Sequence, residues 1–369
     1  MVRLSIANTV SDLIQGDVNE HLPLERIPLE GDVLGLGTTT SLDNGELTFL
    51  HQPGAARTHI YKCQALDGGI RRLRPGDGAS HFPYVCFSGD ASALRQPVDL
   101  AGLGPSAGVP LQELVGQAIA GSIAADRMEP APIVGVRLRA TWSCLVITVA
   151  SKLCMGQRRR NTDTVDPDAA ASLYSNLQHY RLAAQDPGDP ADPIHYLGRS
   201  LEWDCCGFWD TRPESGRVTV PAVDAHLHLH GCSSDLRHGG HLHHEHAGTR
   251  LLRLDTLALY PFMELCSLGS DLAVERASYG AGVLRFTITN RGSLDVSDVG
   301  VAVVIDDRYS DHHYLRLPWL AAGAEESFTL ALELAPGAHE LLVLADPQHQ
   351  VLEPQALREN NRARLQVVV

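Results

Sequence analysis

The sequence predicts a β-rich chain of mixed α and β structure that ends in an antiparallel β-sandwich. Two observations support this division. Before residue 270, one segment with apolar residues at helical spacing and one long run of β-branched residues lie among irregular segments. After residue 270, short stretches alternate apolar and polar residues, with turn-forming clusters between them and no helical pattern. The chain has 369 residues, which is enough for two domains.

In the first region, the pattern predicts two helices and one long extended segment. Asn8 or Ser11 can cap a short helix near the start. Residues 110–121 carry apolar side chains at helical spacing. Residues 133–150, IVGVRLRATWSCLVITVA, predict a long strand or a hairpin because they are rich in β-branched residues. A polar, proline-broken excursion follows, with one helical patch around 168–181.

In the second region, at least five short strands are predicted at intervals of roughly ten residues, a pattern typical of a sandwich. They are VLRFTITN (283–290), VGVAVVID (299–306), SFTLALEL (327–334), HELLVLAD (339–346) and RARLQVVV (362–369).

Charge and composition restrict the function. The net charge of −14 argues against a nucleic-acid partner, because phosphate binding needs a basic face. No apolar run approaches the ~20 residues of a membrane span, so no membrane partner is expected. The eight cysteines form no CxxC pair and are interpreted as reduced thiols. With no secretory signal at the start, the expected location is cytoplasmic.

Histidines are concentrated in residues 224–246, DAHLHLHGCSSDLRHGGHLHHEH, which hold eight of the chain's 18. On a strand, residues two apart point to the same side, so His226, His228 and His230 share one face. Two glycines that fit a turn precede His241, which begins a second candidate strand. If the two strands pair as a hairpin, His241 returns beside the first histidines.

Three neutral imidazoles with open coordination positions are typical of a catalytic zinc site. The alternative is a solvated His-rich loop, or buried histidines hydrogen-bonded to backbone. Same-face spacing and a third histidine after the glycines favour the metal site. The other four histidines of the stretch are interpreted as solvated or as support for the ligands: His238, His243, His244 and His246.

The segment VTVPAVDAHLHLHGCSSDLRHGGHLHHE resembles the zinc-binding segment of the acetolactate decarboxylase family, in which ten residues separate the second and third ligands. His228, His230 and His241 reproduce that H-x-H-(ten)-H spacing, with His226 as the alternative ligand. Residues 30–50, 131–142 and 206–221 resemble further segments of the family in the same order. The match places Glu46 and Arg137 on the family's active-site glutamate and arginine.

This resemblance implies a two-sheet catalytic region that uses Zn²⁺ to decarboxylate a 2-hydroxy-3-keto acid, and a homodimer. Arg137 would hold the substrate carboxylate or the growing oxyanion, and Glu46 would protonate the enediolate. The family's second carboxylate has no secure match, and Glu264 in YPFMELCSLGSDL is the candidate. The family's PFA motif survives only as Phe82-Pro83-Tyr84, and its PGYH has become PAVDAH. These departures leave open a related enzyme of secondary metabolism that acts on a larger keto acid, by decarboxylation, ketol rearrangement or cyclisation.

The last hundred residues resemble the CARDB family of immunoglobulin-like modules. Asp346, Pro347, Glu353 and the Glu359-Asn360-Asn361 run supply its characteristic motif before the last strand. The resemblance implies an interaction module without chemistry of its own. The predicted domains are therefore residues 1–268, the zinc domain, and residues 270–369, the sandwich. A non-catalytic zinc-binding scaffold is the alternative from another class of function.

Overall fold

The computed structural model describes residues 2–15, 17, 21–39, 45–64, 67–74, 81–149, 177–309, 313–351 and 353–369. These residues divide into two compact units, Met1–Leu265 and Cys266–Val369. None of the helices in the described ranges has the length and apolar character needed to cross a bilayer.

The first unit consists mainly of strands. In chain order they are β1 (Leu4–Ala7), β2 (Leu22–Pro23), β3 (Val33–Thr38), β4 (Glu46–Leu50), β5 (His59–Cys63), β6 (Ile70–Arg72), β7 (His81–Phe82), β8 (Tyr84–Asp90), β9 (Gln96–Pro97), β10 (Ile133–Val149), β11 (Gln178–Ala183), β12 (His195–Gly198), β13 (Glu202–Asp210), β14 (Leu227–Ser233), β15 (Gly239–Leu242) and β16 (Arg250–Phe262). Strand β17 (Leu265–Ser267) lies at the unit boundary. The helices are α1 (Val10–Ile14) and α2 (Leu111–Ala124), and short 3-10 turns occupy Leu24–Arg26, Ser92–Leu94, Leu100–Leu103 and Pro213–Ser215.

Two large sheets face each other in this unit. The first contains β1, β8, β3, β4, β5 and β6 in that order, and the second contains β12, β11, β10, β13, β14 and β15, with β16 also paired to β10. The backbone N–H of Gly35 in β3 lies 3.4 Å from Cys206 Sγ in β13. Thr48 Oγ1 in β4 lies 3.3 Å from the carbonyl oxygen of Gly231 in β14. The predicted β-rich, two-sheet architecture is confirmed.

The second sheet buries both of its faces. Leu227 and Leu229 of β14 join the hydrophobic cluster that contains the apolar face of α2. Side chains alternate along a strand, so His228 and His230, which alternate with these leucines, face the first sheet. Strand β10 is long enough to pair with β13 along its first half and with β15 near its end, at Thr148↔His241. This pairing brings β15 back beside β14 and positions the third histidine.

The first helix is present, but its predicted cap was wrong. Helix α1 begins after Thr9, whose extended backbone lets Oγ1 accept the Asp12 N–H at 3.1 Å. Asn8 has a left-handed backbone with φ of 63° and does not take this position. Ser11 lies inside the helix. The predicted helix at 110–121 is observed as α2.

The long extended segment is one strand rather than a hairpin, since β10 runs without interruption over Ile133–Val149. Most of the predicted helical patch, residues 168–176, lies outside the described residues. Its last residues belong to β11, so the helix prediction was wrong for them. Strand β11 pairs with the end of β10, and sheet pairing outweighs weak local helical propensity there.

The second unit is the predicted antiparallel sandwich. Its strands are β18 (Leu272–Gly280), β19 (Val283–Asn290), β20 (Val296–Ile305), β21 (His313–Leu320), β22 (Glu325–Ala331), β23 (Ala338–Ala345) and β24 (Arg362–Val368), with a 3-10 helix at Gln355–Asn361. Strands β18, β19 and β22 form one sheet, and β21, β20, β23 and β24 form the other. Alternate apolar residues of both sheets make one shared core, including Phe286, Val301 and Val343. All five strands predicted from alternation are observed.

A buried acidic pair lies beside this core. Glu353 accepts hydrogen bonds from the Leu272 backbone N–H at 3.1 Å and from Asn361 Nδ2 at 2.7 Å. Asp271 accepts one from Asn360 Nδ2 at 2.8 Å. Burial raises the pKa of Glu353 to about 7, and the nearby Asp271 carboxylate raises it further while Arg358 and the hydrogen bonds oppose the shift. Glu353 therefore binds its proton more tightly in the folded protein than in the unfolded chain.

The free energy of unfolding of the second unit is expected to fall as the pH rises from about 4.5 to about 7. In this range the unfolded chain releases the Glu353 proton first, so each increase in pH favours unfolding. The raised pKa of Glu353 contributes on the order of 3 kcal/mol to the free energy of unfolding, since each unit of pKa difference corresponds to about 1.4 kcal/mol. Native-state hydrogen exchange of the full chain, followed in peptides from 266–369, measures it. Glu353→Gln is the control and should flatten the pH dependence; an unchanged slope would contradict the assignment.

Candidate metal centre

Three of the predicted histidines meet at one point between the sheets. His228 and His230 lie on β14, and His230 pairs directly with His241 of β15. The predicted hairpin is therefore confirmed. His226 precedes β14, where its ring stacks on Trp209 with centroids 4.9 Å apart. Among the described residues, His228, His230 and His241 form the group whose ligand atoms all lie within 4.8 Å of one another.

The glycines before His241 do not form the turn. Gly239 and Gly240 are the first residues of β15, and the chain reverses earlier, near Leu236, which has φ of 56°. A Cβ on Gly239 would lie 2.5 Å from Cys63 Sγ, and one on Gly240 would lie 2.9 Å from the Thr148 carbonyl oxygen. The two glycines therefore allow β15 to approach its neighbours closely and bring His241 to the site.

Backbone carbonyls determine which ring nitrogen of His228 and His230 is protonated. His228 Nδ1 lies 2.7 Å from the carbonyl oxygen of Val218, and His230 Nδ1 lies 2.9 Å from that of Leu47. A carbonyl oxygen can only accept, so Nδ1 carries the proton in both rings. The lone pair of each neutral ring is then on Nε2, as in metal-binding histidines oriented by a carbonyl.

The two Nε2 atoms face each other at 3.1 Å, which places two lone pairs in contact. His241 Nε2 is also buried, and none of the described residues gives it a hydrogen-bond partner. Burial lowers the pKa of His228 to about 4, and burial together with the neighbouring imidazoles lowers the pKa values of His230 and His241 well below 6.5. The histidines are therefore neutral at pH 7. The arrangement fits a divalent cation, which removes the repulsion between the lone pairs.

Glu46 lies at the same point. It is the first residue of β4, is only 7% exposed, and has Oε2 3.7 Å from His230 Nε2. The next residue, Leu47, supplies the carbonyl that orients His230. One strand of the first sheet thus supplies both a carboxylate and the backbone acceptor that fixes a histidine of the second sheet. Residues 40–44, which precede Glu46, lie outside the described residues.

Arg137 lies on β10 and faces the first sheet. It pairs with Cys206 of β13, which in turn pairs with His230 of β14, so the three residues lie side by side across the second sheet. Its two terminal nitrogens donate to the carbonyls of Phe49 and Val33, each at 3.0 Å. One of them also lies 2.9 Å from Asp32 Oδ1. Arg137 Nε is buried and has no partner in the described part of the chain. Most of the guanidinium therefore joins the two sheets, and Nε remains for a ligand.

Glu264 lies elsewhere. Its carboxylate is 3.1 Å from Arg3 Nε, and both side chains are at least half exposed. The structure brings Glu46 to the three histidines and leaves Glu264 in a surface ion pair. The resemblance placed Glu264 by order along the chain alone, and that order does not report its distance from β14.

A cavity of about 590 Å³ reaches His228 and His241 from the surface. The altered PAVDAH segment forms much of its apolar wall through Ala222, Val223 and Ala225. His244 and Glu245 also line it, and His244 Nε2 lies 2.9 Å from the Leu227 carbonyl oxygen. The cavity gives a small molecule access to the histidine cluster. His244 lines this cavity and is not a solvated surface residue.

A buried ion pair that the sequence analysis missed supports His228. Asp210, which is fully buried, ends β13 and accepts hydrogen bonds from Arg217 Nε at 3.1 Å and from Arg217 Nη2. The pair holds the loop that contains Val218, whose carbonyl orients His228. Both residues lie in the segment 206–221, but nothing in their spacing of seven residues distinguishes them from exposed charges.

Asp210→Asn is expected to lower the free energy of unfolding by about 3–5 kcal/mol, because it leaves Arg217 buried without an opposite charge. It should also weaken metal binding, since Val218 loses its fixed position. Chemical denaturation and competition with a chelator measure the two effects. Glu264→Gln removes an exposed ion pair and should change stability by about 0–1 kcal/mol. Equal effects of the two substitutions would contradict the assignment.

Comparisons with known proteins give one family model and several solved structures that are similar to parts of the chain. The CARDB family model matches residues 274–364, so the second unit contains a CARDB domain. No curated protein matches the chain. The first similarity is to acetolactate decarboxylase from Bacillus subtilis subspecies spizizenii, with 15% identity, 72% of this chain and 88% of that chain covered, and a TM-score of 0.44. A Staphylococcus aureus protein of unknown function, described as similar to alpha-acetolactate decarboxylase, has 14% identity and a TM-score of 0.45. The match covers 72% of this chain and 88% of that chain. The CARDB domain of a Pyrococcus furiosus protein, solved in complex with di-metal ions, has 21% identity and a TM-score of 0.23. The match covers 27% of this chain and 89% of that chain.

Proposed function

We propose that the first unit is a zinc-dependent decarboxylase of 2-hydroxy-3-keto acids. The observation that carries the proposal is the convergence of three buried, neutral imidazoles beside the buried carboxylate of Glu46. Three protein ligands leave coordination positions open, as in catalytic rather than structural zinc sites. The ordered resemblance of four sequence segments to acetolactate decarboxylases supports the reaction class.

The reaction breaks the bond between C1 and C2, releases CO2 and leaves the electron pair in an enediolate over C2 and C3. A zinc ion would supply the positive charge that polarises the keto group and stabilises this enediolate. Glu46, in its protonated form, then delivers its proton to C2 from one side, which determines the configuration of the product, and it takes up another proton from water afterwards. Arg137 Nε donates to the substrate carboxylate, while the rest of its guanidinium holds the sheets together.

The test follows CO2 and acetoin after racemic acetolactate is added to the full chain, with and without a chelator. Turnover that the chelator abolishes and that added Zn²⁺ restores supports the proposal. Stoichiometric bound zinc without turnover of any keto acid refutes it and indicates a zinc-binding scaffold. Elemental analysis of the purified protein identifies the metal in parallel.

The cavity favours a second candidate, a related enzyme that acts on a larger keto acid. Its volume of about 590 Å³ lies in the range of pockets that bind drug-sized molecules, whereas acetolactate has five carbon atoms. The wall formed by Ala222, Val223 and Ala225 suits an apolar substituent. A series of 2-hydroxy-3-keto acids with longer alkyl groups tests this. A value of kcat/KM that rises with chain length favours the larger substrate, and a steady fall favours acetolactate.

A further inference from the structure

Tyr84 is a buried polar residue that the reaction described above does not use. It begins β8 directly after Phe82-Pro83, where the sequence departs from the decarboxylase motif. The side chain is only 2% exposed, and no described residue accepts or donates a hydrogen bond at its hydroxyl. An unsatisfied hydroxyl in the interior costs roughly 1–3 kcal/mol. Among the described residues, Tyr84 is therefore a candidate to bind a ligand.

The pairing of strands shows which way Tyr84 projects. Tyr84 pairs with Thr38, and Thr38 pairs with Glu46 on the next strand. Directly opposed residues of an antiparallel sheet point to the same face, so Tyr84 and Glu46 both project between the two sheets. Glu46 lies 3.7 Å from His230 on the facing sheet. Tyr84 therefore projects from the same face of the sheet as Glu46, two strands away from it, toward the sheet that carries the histidines.

The electrostatic surroundings are consistent with this position. Burial raises the pKa of Tyr84 well above its usual value of 10, and the negative charges of Asp210 and Glu46 raise it further. Tyr84 thus lies near both the carboxylate of the site and the ion pair that supports His228. Its hydroxyl keeps its proton at neutral pH and acts as a hydrogen-bond donor.

Other buried tyrosines of this unit have structural roles. Tyr260 donates to Asp32 Oδ2 at 2.7 Å and completes the network around Arg137. Tyr180 is part of the hydrophobic cluster on the opposite face of the second sheet. A buried tyrosine hydroxyl normally has a partner, as Tyr260 does. Tyr84 differs because none of the described residues pairs with its hydroxyl and because it projects from the same face as Glu46.

We propose that the Tyr84 hydroxyl donates a hydrogen bond to an oxygen atom of the bound substrate, and that Tyr84 is a further catalytic residue beside Glu46. The inference rests on the proposed decarboxylase function. The hydroxyl transfers no proton and instead stabilises negative charge that develops on the substrate oxygen as CO2 leaves. A site built around such a donor also discriminates against substrates that lack the oxygen.

The experiment compares Tyr84→Phe with the wild-type full chain, both loaded with zinc. The value of kcat/KM for acetolactate is expected to fall about 100-fold, the usual effect of removing one donor to developing charge. The affinity for the analogue 3-hydroxy-3-methylbutan-2-one, which keeps the keto and hydroxyl oxygens but has a methyl group in place of the carboxylate and cannot decarboxylate, is measured by calorimetry and should fall as well. Zinc content should not change. The free energy of unfolding of the zinc-free variant should not fall, because the lost hydroxyl has no partner in the part of the chain that the structure describes.

Tyr180→Phe is the matched control and should leave kcat/KM unchanged. A Tyr84→Phe variant with wild-type kcat/KM and affinity overturns the role of Tyr84 but not the proposed function. Loss of zinc together with activity also overturns it, because the role is then structural. If the wild-type protein itself neither binds the analogue nor releases CO2, the proposed function fails and the role of Tyr84 fails with it.

Discussion

Replacing His230 with alanine is expected to lower the affinity for zinc by more than about 100-fold and to reduce turnover to the background rate. Removing a group that only orients a ligand typically lowers metal affinity 10–100-fold, so loss of a ligand should exceed that range. His230 is central, because its Nε2 lies 3.1 Å from His228 Nε2 and 3.7 Å from Glu46. Competition with a chelator measures the affinity, and release of CO2 measures the activity.

His226→Ala is the matched control. His226 lies on the same stretch of chain, but its ring stacks on Trp209 and its Nδ1 lies 2.8 Å from the carbonyl oxygen of Asp210. This variant should bind zinc as the wild type does. Circular dichroism shows whether each variant is folded. A folded His230→Ala protein that keeps zinc and activity would refute the site, and loss of zinc in His226→Ala would restore the alternative ligand.

Glu46→Gln is expected to lower kcat by roughly 10²–10⁴-fold while zinc stays bound, the usual range for loss of a positioned acid or base. Glutamine has nearly the same size, so the backbone of β4 and its contact with His230 should persist. The residual product should also lose its excess of one enantiomer, because water then supplies the proton from either side. Chiral chromatography of acetoin and elemental analysis measure the two effects.

Glu264→Gln is the control for this change. Glu264 forms an exposed ion pair with Arg3, so its variant should keep full activity and product configuration. A Glu46→Gln protein that still yields a single enantiomer at the wild-type rate would remove Glu46 from the proton transfer. A large loss in Glu264→Gln would instead place that carboxylate in the reaction.

Much of the fold could be predicted, because the signals were local. The strand Val283–Asn290 has the bounds that its alternating pattern predicts, since each side chain only has to point to the core or to solvent. The same rule placed His228 and His230 on one face of β14. Errors arose where a distant strand competed with local preference. Gln178–Ala183 became a strand because β10 was available to pair with it.

The site was predictable only in part. The H-x-H spacing and the returning His241 identified the ligand group, which needs no information beyond one hairpin. Glu46 came from resemblance, and no local pattern shows that β4 lies against β14. Asp210 and Arg217 were missed, because a buried charge and an exposed charge look alike in sequence. Tyr84 was missed as well, because the sequence does not show which buried hydroxyl lacks a partner among the described residues.

The sequence by itself determined five strands of the sandwich and the three imidazoles of one hairpin, because alternation and short spacing act between residues that are close along the chain. The tertiary structure alone decided that Leu47 and Val218 offer carbonyls to two of those imidazoles, that Arg137 is shared between two sheets, and that Glu264 remains at the surface. These outcomes depend on which faces of two sheets meet, and that is decided by packing of residues far apart in sequence.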